Sequence, residues 1–531
     1  MNEVSNDKNL PIEMDWLKQW SLFSPKNIAF KDAESNVEYS YHDLYYLSCV
    51  LATNLRERFS IAEGSRVAVL ATNELEFIPL FFALQRLGAV MVPINFRLTA
   101  HEISHILTDS APHLVIYQTQ FQDVITKAGI STVPEKKWHF DGAESLRSFL
   151  SAALSQVLDG TAAKQNWIVP MKESAAFETV CMILYTSGTT GLAKGALVTN
   201  QMLHWNSINT TLRLNLNESD VALTFLPFFH TSGWNVLVTP FLHRGAKTIL
   251  LRKFDAHQVL TLSEREGATI LFGVPTTMDM MARDPIFESV NLSKVRYAIV
   301  GGEPMAIDLI KLWEKKGVAI RQGYGLTEFG PNVFSLNETD SIRKIGSIGF
   351  PNFYIQAKVV NDRNEEVPDG EIGELVLRGP VCSPGYWNNP KATAETIQNS
   401  WLHTGDLVRK DEEGYFYVAG RKKDMFISGG ENVYPVELER VLSTHPAIRE
   451  IAVIGVPDAK WGEVGKACVV LNQGAQLSAE DLLKFCRDLV AKFKVPKYVE
   501  FYTELPKGDS GKILKRKLNE SMPKHTEVVS N

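Results

Sequence analysis

The most restrictive feature of this chain is the alternation of short apolar runs with helix-length segments through its first half. Arg66–Ala71 (RVAVLA) is followed by Leu75–Leu87 (LEFIPLFFALQRL), then Ala89–Ile94 (AVMVPI) by the helical stretch HEISHILTD. Thr99 and Glu102 carry the T-x-x-E spacing of a capping box in front of that stretch. His113–Tyr117 (HLVIY) returns to strand, and strand-like runs recur at Ala268–Gly273 and Val295–Val300. Strand–helix–strand repetition of this kind predicts parallel strands covered by helices. From about Ile355 short runs at Ile355–Val360, Glu374–Leu377 and Gly414–Val418 are separated by Gly, Pro and Asp turns, the pattern of a small antiparallel β region. Beyond Lys423 the pattern predicts a helix over Pro435–Leu442 and strands over Ile451–Val456 and Ala467–Leu471. A helix capped by Ser478 is expected to run through Lys494. The expected class is α/β: a large N-terminal lobe of layered α/β subdomains plus a small β region over residues 1–422, then a small α+β domain over 423–531. The boundary falls at the charged string Gly420–Asp424.

Composition narrows the function classes. The 55 Lys and Arg against 61 Asp and Glu leave a net charge of −6, the wrong sign for general nucleic-acid binding. The five cysteines form no CxxC pair, so neither a zinc site nor a disulfide framework is signalled, and a reducing cytoplasm is the expected compartment. The N-terminal residues lack the basic and apolar regions of a signal peptide. Val221–His243 contains no Asp, Glu, Lys or Arg, but Pro227, Gly233, Pro240 and two histidines interrupt it. Buried strands and loops are expected there, and no transmembrane segment.

The most informative segment is Tyr185–Ala196, YTSGTTGLAKGA, entered directly from the apolar strand Val180–Leu184. Small residues let a backbone approach a polyphosphate, hydroxyls and N–H groups donate to it, and Lys194 supplies a cation. The Walker pattern G-x-x-x-x-G-K-[ST] fails, because Gly188 and Gly191 are too close and Gly195 follows Lys194. From local sequence alone a plain Gly/Ser loop remains open. The segment resembles the signature loop of the adenylate-forming superfamily, which includes acyl-CoA synthetases, amino-acid adenylation domains and beetle luciferases. This chain has Ala193 where Pro is common, a change worth under about 1 kcal/mol of loop entropy.

The other motifs of that superfamily follow in order from about Trp20 to Leu518. The resemblance implies nucleotide contacts from Thr186, Ser187, Gly188, Thr189, Thr190 and Lys194. It places His230 of LPFFHTSGW beside the acyl carboxylate, a role an imidazole can fill by donating a hydrogen bond. It sets Gly302 and Glu303 of GGEP against the adenine and acyl pocket. In QGYGLTE it puts Tyr324 on the adenine, Thr327 on the α-phosphate and Glu328 on Mg²⁺, with Thr186 as a second metal ligand. Asp406 of WLHTGD and Arg421 of GRKKD become the ribose-side residues, and Lys423 the hinge. Gly429 and Gly430 line the passage for the pantetheine arm of coenzyme A, and Lys512 is the catalytic lysine of a mobile C-terminal domain, although Gly508 stands where Thr is typical.

The resemblance implies ATP-dependent activation of a carboxylic acid to acyl-AMP and pyrophosphate, then thioester formation with coenzyme A. Glu328 and His230 act with Lys512 as the catalytic set. Two anions must meet in the first step, and fixed electrostatic groups that offset such repulsion contribute about 3–4 kcal/mol each. The expected partners are small molecules only: a carboxylic acid, ATP and coenzyme A. The oligomeric state is open, a homodimer included. The apolar stretches Phe225–Leu242 and Ile270–Met281 favour a medium- or long-chain fatty acid. An aryl acid is the alternative, as is an adenylating enzyme loading a separate carrier protein. A non-catalytic nucleotide sensor would be expected to lack the charged residues, yet Lys194, Glu328, Asp406, Arg421 and Lys512 are all present.

Overall fold

The computed structural model describes residues 14–129, 136–158, 168–169, 177–186, 193–302, 305–487, 489–508, 513–520 and 527–528. Their strands form four sheets. The first has six strands in the order Lys137–His139, Leu114–Tyr117, Arg66–Leu70, Val90–Pro93, Val180–Thr186 and Lys194–Thr199. All its pairings are parallel except the last, a hairpin. The second has nine strands, and its parallel centre runs through Tyr297–Val300, Ile270–Gly273, Val221–Thr224 and Lys247–Leu250. The alternating pattern thus gives the parallel α/β layers expected of it, and the capping box is formed: Thr99 Oγ1 accepts from Glu102 N–H at 3.4 Å while Glu102 Oε2 accepts from Thr99 N–H at 2.8 Å.

The third sheet is antiparallel and is built from strands between Gln356 and Arg421. The fourth contains only strands between Phe426 and Val528. Apolar side chains fill separate cores under these layers, the largest around the helix Tyr41–Phe59 and the helix Phe77–Arg86. No helix among the described residues is long and apolar enough to cross a membrane.

Two expectations need correction. The uncharged stretch Val221–His243 is a single strand, Val221–Thr224, followed by the helices Thr231–Asn235 and Val238–Arg244. Pro240 is compatible with the second helix because it falls in the first turn, where N–H groups have no intrahelical partner. The helix after Ser478 spans Ala479–Arg487 and does not continue to Lys494, where a separate 3₁₀ turn, Lys492–Lys494, is found.

Candidate functional site

The hairpin that carries the phosphate loop pairs Thr186 with Lys194 at its loop end, with residues 187–193 between them. Ser187, Gly188, Thr189 and Thr190 lie outside the described residues, as do Glu303 and Lys512. Thr186 Oγ1 donates to the Lys194 carbonyl at 3.4 Å. Gly195 is required by close approach: a Cβ there would lie 2.6 Å from Ile183 Cγ2 and 3.2 Å from the Tyr185 ring. His105 Nε2 lies 3.0 Å from the Ala193 carbonyl, so the residue that replaces the common proline has its own tie.

A distant segment, Ser383–Trp387, straps this hairpin down. Leu197 N–H donates to Gly385 O at 3.0 Å, Trp387 N–H to Gly195 O at 2.8 Å, and Ser383 Oγ to Leu197 O at 2.7 Å. The strap carries Tyr386, whose hydroxyl donates to Glu328 Oε1 at 2.7 Å while Lys194 Nζ lies 5.5 Å from its ring centroid. One aromatic residue therefore presents its face to the loop cation and its hydroxyl to the candidate metal-binding carboxylate. Burial, reinforced by Glu328, pushes the Tyr386 phenol well above its ordinary value, so it remains a hydrogen-bond donor. Ser383 N–H also donates to the Glu328 carbonyl at 2.9 Å, which ties the turn Thr327–Phe329 to the same strap. Sequence reasoning missed Tyr386, because nothing near PGYW signals a partner 58 residues upstream in Glu328.

A second cluster forms where the strand Ala319–Leu326 meets the antiparallel sheet. Tyr324 OH donates to Asp406 Oδ2 at 2.5 Å, and Arg421 Nε lies 2.7 Å from Asp406 Oδ1. Asp406 and Arg421 are direct cross-strand partners, so sheet register brings them together. The Asp406 carboxylate is buried and held from both sides, which sets its orientation. Burial, followed by the Asp406 charge, raises the Tyr324 phenol well above its ordinary value. Tyr324, Thr327 and Glu328 lie on one continuous stretch, so the two clusters share a backbone.

His230 is half-buried directly before the helix Thr231–Asn235, with its ring 4.6 Å from that of Phe229. Next to it, Thr231, Asn235, Asn206, Thr327 and Pro331 line a cavity of about 10 Å³, room for one water. Gly302 lies just past the strand Tyr297–Val300, at φ +88°. Lys423 is on an exposed turn between the third and fourth sheets. Gly429 and Gly430 form a two-residue hairpin turn with both φ positive, +62° and +89°, and belong to neither cluster.

The apolar stretches expected to line an acyl pocket are mostly core instead. Phe225, Phe228, Trp234 and Phe241 are buried, and so are Met278 and Met281, while Met280 is 49% exposed. Those residues carry no evidence for chain length.

No group of three or more His, Cys, Asp or Glu that could cage a metal occurs among the described residues. One half-buried carboxylate, Glu328, beside a polyphosphate-type loop fits Mg²⁺ all the same, because that ion keeps several waters and is bound through one or two carboxylates plus substrate phosphates.

Comparisons with known proteins place the chain in a family. Residues 17–387 match the family described as AMP-binding enzyme, and 437–512 match the AMP-binding enzyme C-terminal domain. A feruloyl-CoA synthase from Amycolatopsis sp. is 38% identical over 94% of this chain and 97% of its own. The long-chain-fatty-acid–CoA ligase FadD13 of Mycobacterium tuberculosis is 37% identical over 95% of this chain and 97% of its own. The crystal structure of ATP-bound MatB from Rhodopseudomonas palustris aligns with a TM-score of 0.86 at 31% identity, covering 96% of this chain and 99% of that one. The chain belongs to the AMP-binding enzyme family, within the adenylate-forming acyl-CoA synthetase superfamily.

Proposed function

We propose that this protein is an ATP-dependent carboxylic acid–CoA ligase that forms acyl-AMP and pyrophosphate, then acyl-CoA and AMP. The observation that carries this is the Lys194–Tyr386–Glu328 cluster, which sets a cation and an anion at the mouth of a polyphosphate-type loop. Lys194 and the loop would receive the phosphates of ATP, and Glu328 would hold Mg²⁺, which supplies positive charge against the phosphate oxygens. Tyr324, Asp406 and Arg421 would receive the nucleoside, with the Asp406 carboxylate accepting from the ribose hydroxyls. His230 would orient the carboxylate of the acid. Residues 1–422 form the substrate-binding unit in this proposal, and 423–531 the mobile one that brings Lys512 to the first step and the Gly429–Gly430 turn to the second. A cytoplasmic location belongs to the same proposal and is supported by the five cysteines, all free thiols.

The acid is a medium- or long-chain fatty acid in the first reading, supported by the likeness to FadD13. The aryl-acid reading is supported by the likeness to the feruloyl-CoA synthase, at 38% against 37% identity. A panel of fatty acids of graded length and of aryl acids, read by pyrophosphate release with ATP and by thioester formation with coenzyme A, separates the two. Lys512→Ala tests the division of labour. It should lose acyl-AMP formation in pyrophosphate exchange, yet keep most thioester formation from supplied acyl-AMP. Near-normal exchange would sink the role of Lys512.

A further inference from the structure

The turn Leu226–His230 leaves the strand Val221–Thr224 of the nine-stranded sheet, and it is gripped from the other parallel sheet by one side chain. Asn73, 2% exposed just past the strand Arg66–Leu70, donates from Nδ2 to Leu226 O at 2.9 Å. Its Oδ1 accepts from Phe228 N–H at 3.0 Å. A planar amide that meets a carbonyl and an N–H two residues apart acts as a strand partner does, and only one amide orientation satisfies both groups. The Phe228 carbonyl is taken in turn by Trp234 Nε1 at 2.7 Å. Phe228, two residues before His230, therefore has both its backbone polar groups held.

Asn73 is itself braced. Thr72 N–H donates to Gln118 Oε1 at 3.0 Å, and Gln118 Nε2 donates to Glu74 at 2.8 Å. Glu74 is further held by Arg147 at 2.7 Å and by Arg252 at 3.0 Å. Arg252 follows the strand Lys247–Leu250, the sheet neighbour of Val221–Thr224, so the brace and the braced turn are anchored to the same nine-stranded sheet. Both segments lie at the C-terminal ends of parallel strands, where α/β folds place their ligands.

We infer that Asn73 is a positioning residue for the acid: by fixing the Leu226–His230 turn it sets where His230 meets the substrate carboxylate. This rests on the role proposed for His230. Asn73 touches no substrate in this account and acts through the turn, so its loss falls on the acid and not on ATP.

The test is a double-mutant cycle on the full chain with Asn73→Ala, His230→Ala and both together, using ATP and an acid selected by the panel above. Small misplacements of a site group cost up to about a hundredfold, so Asn73→Ala should raise the KM for the acid about tenfold and that for ATP less than about twofold. Because the two residues act as one unit, the double variant should fall within about twofold of His230→Ala alone. If alanine does not fold, Asn73→Asp keeps the acceptor for Phe228, removes the donor for Leu226, and should show the same acid-only pattern. Multiplicative losses with His230→Ala itself impaired overturn the proposal and leave the proposed function standing. Equal losses toward acid and ATP with a lowered Tm overturn it as well, showing a structural role. An unchanged acid KM in His230→Ala removes the role of His230, and the proposal falls with it.

Discussion

Tyr386→Phe is the sharpest probe of the polyphosphate site, because it deletes one oxygen and leaves the ring that faces Lys194. The lost contact is the 2.7 Å hydrogen bond to Glu328 Oε1. Hydrogen bonds to charged groups contribute about 1.5–3 kcal/mol, but this one is internal to the protein and does not pass whole into ligand affinity. What the nucleotide loses is the pre-orientation of Glu328. Immobilising one rotamer-rich side chain costs about 0.5–1.5 kcal/mol. With about 1.4 kcal/mol per factor of ten, the KM for Mg-ATP should rise about 2- to 12-fold. Glu328 is only half-buried, so water can replace the phenol and Tm should barely move. The assay is initial-rate pyrophosphate release at saturating acid with Mg-ATP varied, paired with calorimetric titration of Mg-ATP into each protein. Tyr386→Leu, which also removes the aromatic face, should exceed the Phe variant. An unchanged Mg-ATP affinity in Tyr386→Phe, or an effect confined to the acid, would refute the role given to this cluster.

Other expected outcomes concern stability and the second half-reaction. Burial, with His204 and Arg244 adding repulsion, lowers His243 from 6.5 to about 3. The unfolded chain therefore takes up that proton first, and the stability it gives is complete above pH 6.5 and lost as pH falls toward 3. The loss is about 1.4 kcal/mol per pH unit, so His243→Gln should flatten the Tm-against-pH slope between pH 7 and about 4.5. Asp15→Ala leaves Arg86, 0% exposed, without its partner at 2.5 Å. It should destabilise by about 3–5 kcal/mol, and Asp15→Ala combined with Arg86→Met should recover most of the thermal shift. In Gly429→Ala the new Cβ would lie 2.9 Å from the Trp461 ring at a φ of +62°. Thioester formation from supplied acyl-AMP should fall while pyrophosphate release is kept.

Period and spacing in the sequence were enough for the layered architecture, since a run such as Val67–Ala71 has few other ways to bury every side chain. Ordered short motifs proposed Lys194, Tyr324, Glu328, Asp406 and Arg421 as site residues, and the fold gathers them into two clusters, Tyr324–Asp406–Arg421 and Lys194–Tyr386–Glu328. The limits of that reading are equally physical. Val221–His243 read as strands and loops because helices as short as Thr231–Asn235 give too few turns to show a 3.6-residue period. Phe225, Trp234 and Phe241 looked like pocket, yet an apolar side chain is equally suited to a core, and only packing separates the two.

Which residues meet across the chain was decided by tertiary structure alone. Tyr386 reaches Glu328 because Ser383–Trp387 lies along the strand Lys194–Thr199, a pairing between segments nearly two hundred residues apart. Asn73 reaches Leu226 and Phe228 because two parallel sheets bring their strand ends together. Neither residue belongs to a motif, since a hydrogen bond made across the fold leaves no periodicity or spacing behind. The sequence by itself determined which chemical groups the proposed site holds. The packing of its sheets decided which neighbours orient them.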